Sequence, residues 1–382
     1  MVDPHRLAET TATLVRIDST NPTLAAGGAG EAAVAEVVAA MMTEIGLDVE
    51  RWDAAPGRPN VVGVLRGTGG GRSLMLNAHL DTVGVEGMAA PFAAEIRDGR
   101  LYGRGAQDMK ASLAAQLEAA RVLQASGLPL AGDLVIAAVA DEEDRSLGTE
   151  ALLTRYRTDG AMVTEPTDLR LTLAHKGFAW IDVTTHGRAA HGSRPEEGVD
   201  ANLHMGRILA GLDTLRAELA TRPPHPLVGT ASLHAAQLQG GTAPSVYAAT
   251  CRLRIERRLI PGEHPADALA EIETLLRALH TADPTFRADA HLAFARAPLE
   301  TPPTSPLAQT VRTATQAVLG TPSPDAGASF WTDAALLAKA DIDTVLLGPT
   351  GAGLHTTEEW VDLASVAHLT AILVETARLY CG

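Results

Sequence analysis

Over the first 175 residues, short β-like runs alternate with helical stretches, and this alternation limits the fold more than any other feature of the chain. The runs are NVVGVLRG from Asn60, SLMLNAH from Ser73, DLVIAAVAD from Asp133 and AMVTEP from Ala161. A helix opening at Met109 lies among them, with Leu113, Leu117, Ala120 and Leu123 as its apolar stripe and Gly127 as its C-terminal cap. Strands joined through helices pair in parallel, so the pattern predicts an α/β layer fold with a mostly parallel sheet. Asp98-Gly99 in AEIRDGRLYG predicts a tight hairpin. Gly69 to Gly71 reads as a hairpin or surface loop; no GKS or GKT follows, which argues against a phosphate cradle.

Near residue 177 the texture changes. FAWIDVTTHG reads as a strand, and after Asp200 comes a helix whose apolar residues are Ala201, Met205, Ile208, Leu212, Leu215 and Leu219. That spacing buries one helical face, and Pro223, Pro224 and Pro226 end the helix. Strand-like ASLHAAQLQ and SVYAATCRLRIE follow, then a helix from Pro265 to about His280. Helices at Leu307 to Leu319, Asp333 to Lys339 and Leu363 to Tyr380, with the strand TVLLGP, restore the α/β texture after about residue 293. The expected layout is a two-domain α/β protein. Residues 1–176 and 293–382 form the larger domain, and 177–292 form an inserted α+β domain. Hydrophobic residues make up 46% of the chain, but aromatics only 3%, so Ala, Leu and Val must fill the core.

A formal net charge of -15 argues against a nucleic-acid partner, which needs a basic footprint. Two cysteines, Cys251 and Cys381, make no disulfide framework and no thiolate metal site. There is no run of about 18 apolar residues, so no membrane span is expected. The N-terminal stretch lacks the pattern of a secretory signal, and a cytoplasmic location is the expectation.

Acids and histidines recur where the predicted strands end. His79 and Asp81 close SLMLNAHLD, Asp141, Glu142 and Glu143 close DLVIAAVADEE, Glu165 closes AMVTEP, His355 follows TVLLGPTGAGLH, and Asp108 lies just before the Met109 helix. Singly, each has an ordinary reading: a capping histidine, an N-cap for Asp108, a solvated acidic turn for Glu142-Glu143. Together they gather at one edge of a sheet, and open α/β sheets bind ligands beyond the carboxyl ends of their strands. Two imidazoles and three carboxylates without thiolates suit zinc or a similar divalent ion.

HLDTV at His79, GRGAQDMK at Gly103, ADEE at Ala140, TEPT at Thr164 and GLHTTEEWV at Gly353 resemble, in order, the zinc aminoacylase and carboxypeptidase family of acetylornithine deacetylase, succinyl-diaminopimelate desuccinylase and carboxypeptidase G type. HKGFAWIDVTTHGRAAHGSRPEEGVDAN from His175 resembles that family's entry into an inserted lid and dimerisation domain. The resemblance implies two zinc ions per chain, with cobalt an alternative. His79, Asp108 and Glu165 would hold one; Asp108, Glu143 and His355 would hold the other; Asp108 would bridge them. It implies a general base at Glu142 and a supporting carboxylate at Asp81 that accepts a hydrogen bond from His79. It further implies a cis peptide after Asp108, a lid histidine at His191 that reaches the oxyanion in a neighbouring subunit, and a substrate-carboxylate contact at Arg258. Ser245 stands where members usually carry Asn, Gly84 replaces a common Pro, and Gln107 replaces a smaller residue.

The implied function is hydrolysis of the amide bond of an N-acyl amino acid by a homodimer, and FWTDAALL from Phe330 resembles the deacetylase and desuccinylase branch most. A dipeptidase or carboxypeptidase-type activity on short peptides is the close alternative. A non-catalytic binding protein on the same scaffold is the rival from another class, and a retained base at Glu142 argues against it.

Overall fold

The structure, a computed structural model, describes residues 1–127 and 129–382. Two compact units are present: residues 1–173, 301–326 and 332–382 form the first, and 174–300 with 327–331 the second.

The first unit is built on a mixed sheet. Its central strands Leu134–Val139, Leu74–His79, Gly160–Val163 and Asp343–Leu346 are neighbours in that order and run parallel. Arg58–Leu65 pairs antiparallel with the first of these, and Asp48–Ala55 pairs antiparallel with Arg58–Leu65. Leu74–His79 and Leu134–Val139 are buried at every position. Their near-continuous apolar sequence is therefore what a strand covered on both faces requires. The covering helices fall into two groups. Pro4–Val15, Ala32–Ile45, Ala111–Ser126, Pro306–Leu319 and Leu363–Cys381 pack on one another and on the sheet; Leu147–Leu152 and Ala334–Lys339 pack together elsewhere on it.

Local chemistry sets the ends of these elements. Asp3, Ser305 and Asp362 accept main-chain N–H bonds at the starts of their helices, satisfying donors that a helix leaves unpaired. Gly127 ends Ala111–Ser126 with φ 65. That helix starts two residues later than the sequence pattern implies. A wide turn at Ala106–Lys110 precedes it, and Asp108 (φ -119, ψ 91) and Met109 (φ -137, ψ 35) depart from helical geometry. The helix is enclosed beyond its stripe, with Ala111 to Ala120 buried throughout. Asp98 (φ 49) and Gly99 (φ 76) form the expected two-residue hairpin between Glu95–Arg97 and Arg100–Tyr102. The glycine run is a connecting loop instead, because the strands on either side of it both pair with Leu134–Val139 and not with each other.

The second unit is an antiparallel sheet in the order Ser232–Gly240, Thr250–Leu259, Gly177–His186, Ala288–Arg296. Ala179, Ile181 and Val183 alternate inward and join Ala201, Met205, Ile208, Leu212 and Leu219 of the helix Ala201–Thr221 in one core. Each such fully buried Ile, Leu or Met contributes about 1.5–3 kcal/mol. The stripe on that helix is thus used inside its own unit, and gives no argument for a dimer surface. Residue 292, where the inserted segment was expected to end, falls inside the strand Ala288–Arg296. ADAHLAFAR lacks the β-branched residues that mark strands, so the strand leaves little trace in the sequence. Among the described residues, no helix is long and apolar enough to cross a membrane.

Candidate metal centre

Three of the parallel strands deliver acids or histidine to one place. Leu74–His79 ends on His79, which is 1% exposed. Asp141, Glu142 and Glu143 follow Leu134–Val139, and Glu165 follows Gly160–Val163. A small separate sheet positions His355. Gly351–Ala352 and Trp360–Asp362 pair with each other, and Trp360–Asp362 pairs with Arg100–Tyr102, so the loop carrying His355 is anchored at both ends. His355 itself has φ 58.

Asp108 lies at the centre. The peptide between it and Met109 is cis, as the resemblance implies. Its Oδ1 is 2.9 Å from His79 Nε2, and its Oδ2 is 3.3 Å from His355 Nε2. Each imidazole has a second acid: His79 Nε2 is 3.6 Å from Glu165 Oε1, and His355 Nε2 is 3.2 Å from Glu143 Oε2. Ligand-type atoms of His79, Glu142 and Glu165 also lie within 4.8 Å of one another, as do those of His79, Asp108 and Glu143. The adjacent acids thus fall in different groups that share His79: Glu142 lies with His79 and Glu165, while Glu143 lies with His79 and Asp108 and also reaches His355.

The electrostatics show what this cluster lacks. Burial raises the Glu165 carboxyl well above its ordinary value, and the Asp108 charge adds to this. Glu142 is likewise raised well above the usual range, by burial and then by Glu165. Glu143 is raised by burial and Asp108. Burial pushes His79 down, but its bond to Asp108 and the charges of Glu165, Asp108 and Asp81 carry it well above normal. The bonds to Asp108 and Glu143 lift His355 to about 10. A crowd of carboxylates that must protonate, or borrow protons from imidazoles, is short of positive charge. Divalent cations supply that charge, and the oxygen and imidazole donors suit them. The residues present thus fit a metal pair.

The groups around this cluster differ from the sequence reading in one respect. His79 Nδ1 is 2.9 Å from the main-chain carbonyl of Asp81, whereas the Asp81 carboxylate is 3.7 Å away. The tautomer is set by the main chain. The Asp81 carboxylate instead accepts the main-chain N–H of Glu142 at 3.1 Å and of Glu143 at 3.2 Å.

Several residues around the site were given no role from sequence. Glu359, 1% exposed, accepts N–H bonds from Gly105, Gln107 and Asp108 and from the Arg104 guanidinium, and so clamps the turn that carries Asp108. Its signal was the second acid of GLHTTEEWV. Gln107 is accommodated by Gly351, where a Cβ would approach its side chain to 2.8 Å. Asp333, in FWTD, accepts the Thr149 hydroxyl at 2.6 Å, and burial pushes its carboxyl up to about 6. Arg58 makes a fork with Glu31 at 2.6 and 2.7 Å and reaches Asp141 at 2.8 Å. Breaking a buried ion group of this kind costs about 3–5 kcal/mol.

Two expected site residues lie in the second unit. His191 is exposed; its Nδ1 is 2.8 Å from Ser193 Oγ and accepts the Ser193 main-chain N–H at 3.2 Å. An accepting Nδ1 places the proton of the neutral ring on Nε2, leaving Nε2–H as a donor. Arg258 is not unpaired. Its Nε donates to Glu256 at 2.7 Å, and Glu256 also accepts the Trp180 indole N–H at 3.0 Å.

Comparison with known proteins places this geometry in a family. Residues 75–379 match the model of peptidase family M20/M25/M40. The acetylornithine deacetylase of Myxococcus xanthus is 30% identical over 345 residues, 86% of each chain. An N-formyl-4-amino-5-aminomethyl-2-methylpyrimidine deformylase of Bacillus subtilis is 31% identical over 265 residues, which span 64% of this chain and 62% of that enzyme. The crystal structure of the aminopeptidase PepT from Bacillus cereus shares the fold over 100% of both chains, with a TM-score of 0.82 at 20% identity. With the family model covering most of its length, the chain belongs to peptidase family M20/M25/M40.

Proposed function

We propose that this chain is a two-metal hydrolase that cleaves the amide bond of an N-acyl amino acid. The observation that carries the reading is the placement of Asp108: its two oxygens face different imidazoles, and each imidazole has its own second carboxylate. His79, Asp108 and Glu165 would hold one zinc or cobalt ion, and Asp108, Glu143 and His355 the other. When bound, such a pair lowers the pKa of a water from about 15.7 towards neutrality and polarises a carbonyl. Glu142 takes the proton of the attacking water and returns it to the leaving amine, the two halves of general acid–base catalysis. Asp81 and Glu359 hold the main chain that carries these groups. Arg258 remains our candidate for the substrate carboxylate. With Nε held by Glu256, its two terminal amino groups would form the fork.

The deacetylase and deformylase relatives support deacylation. The test loads the purified protein with zinc or cobalt and supplies N-acetyl, N-formyl and N-succinyl amino acids beside dipeptides, detecting free amine. Release from an N-acyl amino acid is expected, and chelator should abolish it. Turnover of dipeptides alone moves the assignment to an exopeptidase, and no turnover with metal bound favours a binding protein.

We infer further that the enzyme is a homodimer in which His191 donates Nε2–H to the oxyanion formed in a partner's site. Support comes from the resemblance of GRAAHGSRP to the family's lid motif and from the tautomer that Ser193 selects. A donor to the oxyanion stabilises charge present only in the transition state. Mixed Glu142→Ala and His191→Ala chains should regain activity once subunits exchange, because one site then has both groups. Verified exchange with activity no higher than the separate variants rules out action in trans.

A further inference from the structure

We propose that Asn21 is a positioning residue for the adjacent acids Glu142 and Glu143: its buried amide joins the Asp81 and Asp141 carboxylates, and Asp81 in turn holds the main chain of both acids. The inference rests on reading Glu142 as the base and Glu143 as a ligand.

Asn21 is 0% exposed. Its Nδ2 donates to Asp81 Oδ2 at 2.8 Å and to Asp141 Oδ1 at 3.0 Å. Both carboxylates are themselves 0% exposed. The orientation of the amide is set independently, since Oδ1 accepts the Thr23 main-chain N–H at 3.0 Å. A flipped amide would turn an oxygen towards two carboxylates and lose all three bonds. The main chain is pinned too: Asn21 N–H donates to the Thr82 carbonyl at 2.8 Å, and Thr20 bridges to Thr82. None of these anchors involves a proposed ligand, so the amide is held in place before any metal or substrate arrives.

The two carboxylates differ in how they are satisfied. Asp141 has the Arg58 guanidinium as well as Asn21. Asp81 forms no salt bridge with a lysine or arginine among the described residues; its carboxylate accepts N–H bonds from Asn21, Glu142 and Glu143. Its two oxygens take successive amides, Oδ1 from Glu142 and Oδ2 from Glu143. A carboxylate bonded in this way orients two successive peptides, Asp141–Glu142 and Glu142–Glu143, and with them the directions in which the two side chains leave. Asn21 is the side-chain donor that keeps the carboxylate from turning. Ligands and proton-transfer groups must sit within about 0.5 Å of productive geometry, and a displacement of about 1 Å can cost roughly 10²-fold in rate.

The test compares Asn21→Ala and Asn21→Ser with the parent chain, and with Thr23→Ala as a control that keeps its main-chain N–H. Three quantities are measured: amide hydrogen exchange in peptides covering 140–146 and 111–126, zinc affinity by chelator competition, and kcat with KM. Both Asn21 variants should exchange faster by about tenfold or more at 140–146, with the helix 111–126 unchanged. Zinc affinity or kcat should fall roughly 10–100-fold, the usual effect of losing a partner behind a ligand, with KM within about threefold. Thr23→Ala should match the parent. Exchange at 140–146 within twofold of the parent overturns the proposal, as does equal acceleration in both peptides, which marks general destabilisation. If neither variant folds, the parent decides, because side-chain amide protons of Asn21 that exchange as fast as those of an exposed asparagine also overturn it. Exchange is read on the protein as purified. A parent that neither binds zinc nor hydrolyses amides would refute the functional reading while the link from Asn21 to the acids is still measured.

Discussion

Replacing Glu142 with alanine is expected to lower kcat by about 10²–10⁴-fold, the usual contribution of a general base, while leaving the bound metal in place. The expectation follows from how the two adjacent acids divide. Glu143 is 3.2 Å from His355 and shares Asp108 with it, so its loss opens one metal position. Glu142 has no such pairing with the second imidazole; it lies with His79 and Glu165, where Asp108 and Glu165 already supply carboxylates. Metal content after dialysis, measured beside kcat and KM, separates the roles. Glu142→Ala should keep the parental content with KM little changed. Glu143→Ala should lose about one ion per chain. Equal metal loss in both variants, with no separate loss of rate, would refute the division. Glu142→Gln refines the test. It keeps the size and removes the basic oxygen, so a rate loss as large as that of alanine assigns the effect to proton transfer and not to packing.

The strand ends were legible because an apolar run followed by an acid or histidine carries two signals at once, a buried strand and a group with no place inside it. His79, Glu142, Glu143 and Glu165 were singled out in this way, and the structure brings them together. The bridging position of Asp108 was not derivable from spacing; it came from resemblance, and the structure supplies the two-sided contacts that give it physical content. What escaped was long-range hydrogen bonding. Glu359 meets the Asp108 turn across 251 residues, and Asn21 meets Asp141 across 120. Neither motif announces its partner, because an Asn before Pro reads as a turn and the second of two acids reads as solvated. For Arg258 the resemblance suggested a substrate contact, and the structure adds a partner two residues earlier, Glu256, which holds Nε. In strands, residues two apart share a face. The edge strand Ala288–Arg296 of the second unit was missed because alanine-rich strands are recognised by their neighbours and not by their own composition.

Asp108→Ala is expected to remove both metal ions together and reduce hydrolysis to background. No other single ligand should do this. In the proposed arrangement His355 and Glu143 would hold one ion, and Glu165 the other; Glu143 lies 3.2 Å from His355, and Glu165 3.6 Å from His79. Replacing any of them should weaken one ion and leave the second with most of its affinity. Asp108 presents one oxygen to each side, so its loss takes a ligand from both positions. It also takes away the negative charge that lies between two imidazoles, whose protonated forms it favours when metal is absent. Thermal unfolding gives a readout that does not depend on turnover. A ligand that binds only the folded state stabilises it by about 2.7 kcal/mol at 100 times its Kd. Adding zinc should therefore raise Tm for the parent, raise it less for His355→Ala, and leave Asp108→Ala unmoved. Asp108→Asn is the sharper variant, since it keeps one carbonyl oxygen and loses the second acceptor. It should retain weak binding at one position and none at the other. Parental affinity for even one ion in Asp108→Ala, with the protein folded, would show that Asp108 does not bridge.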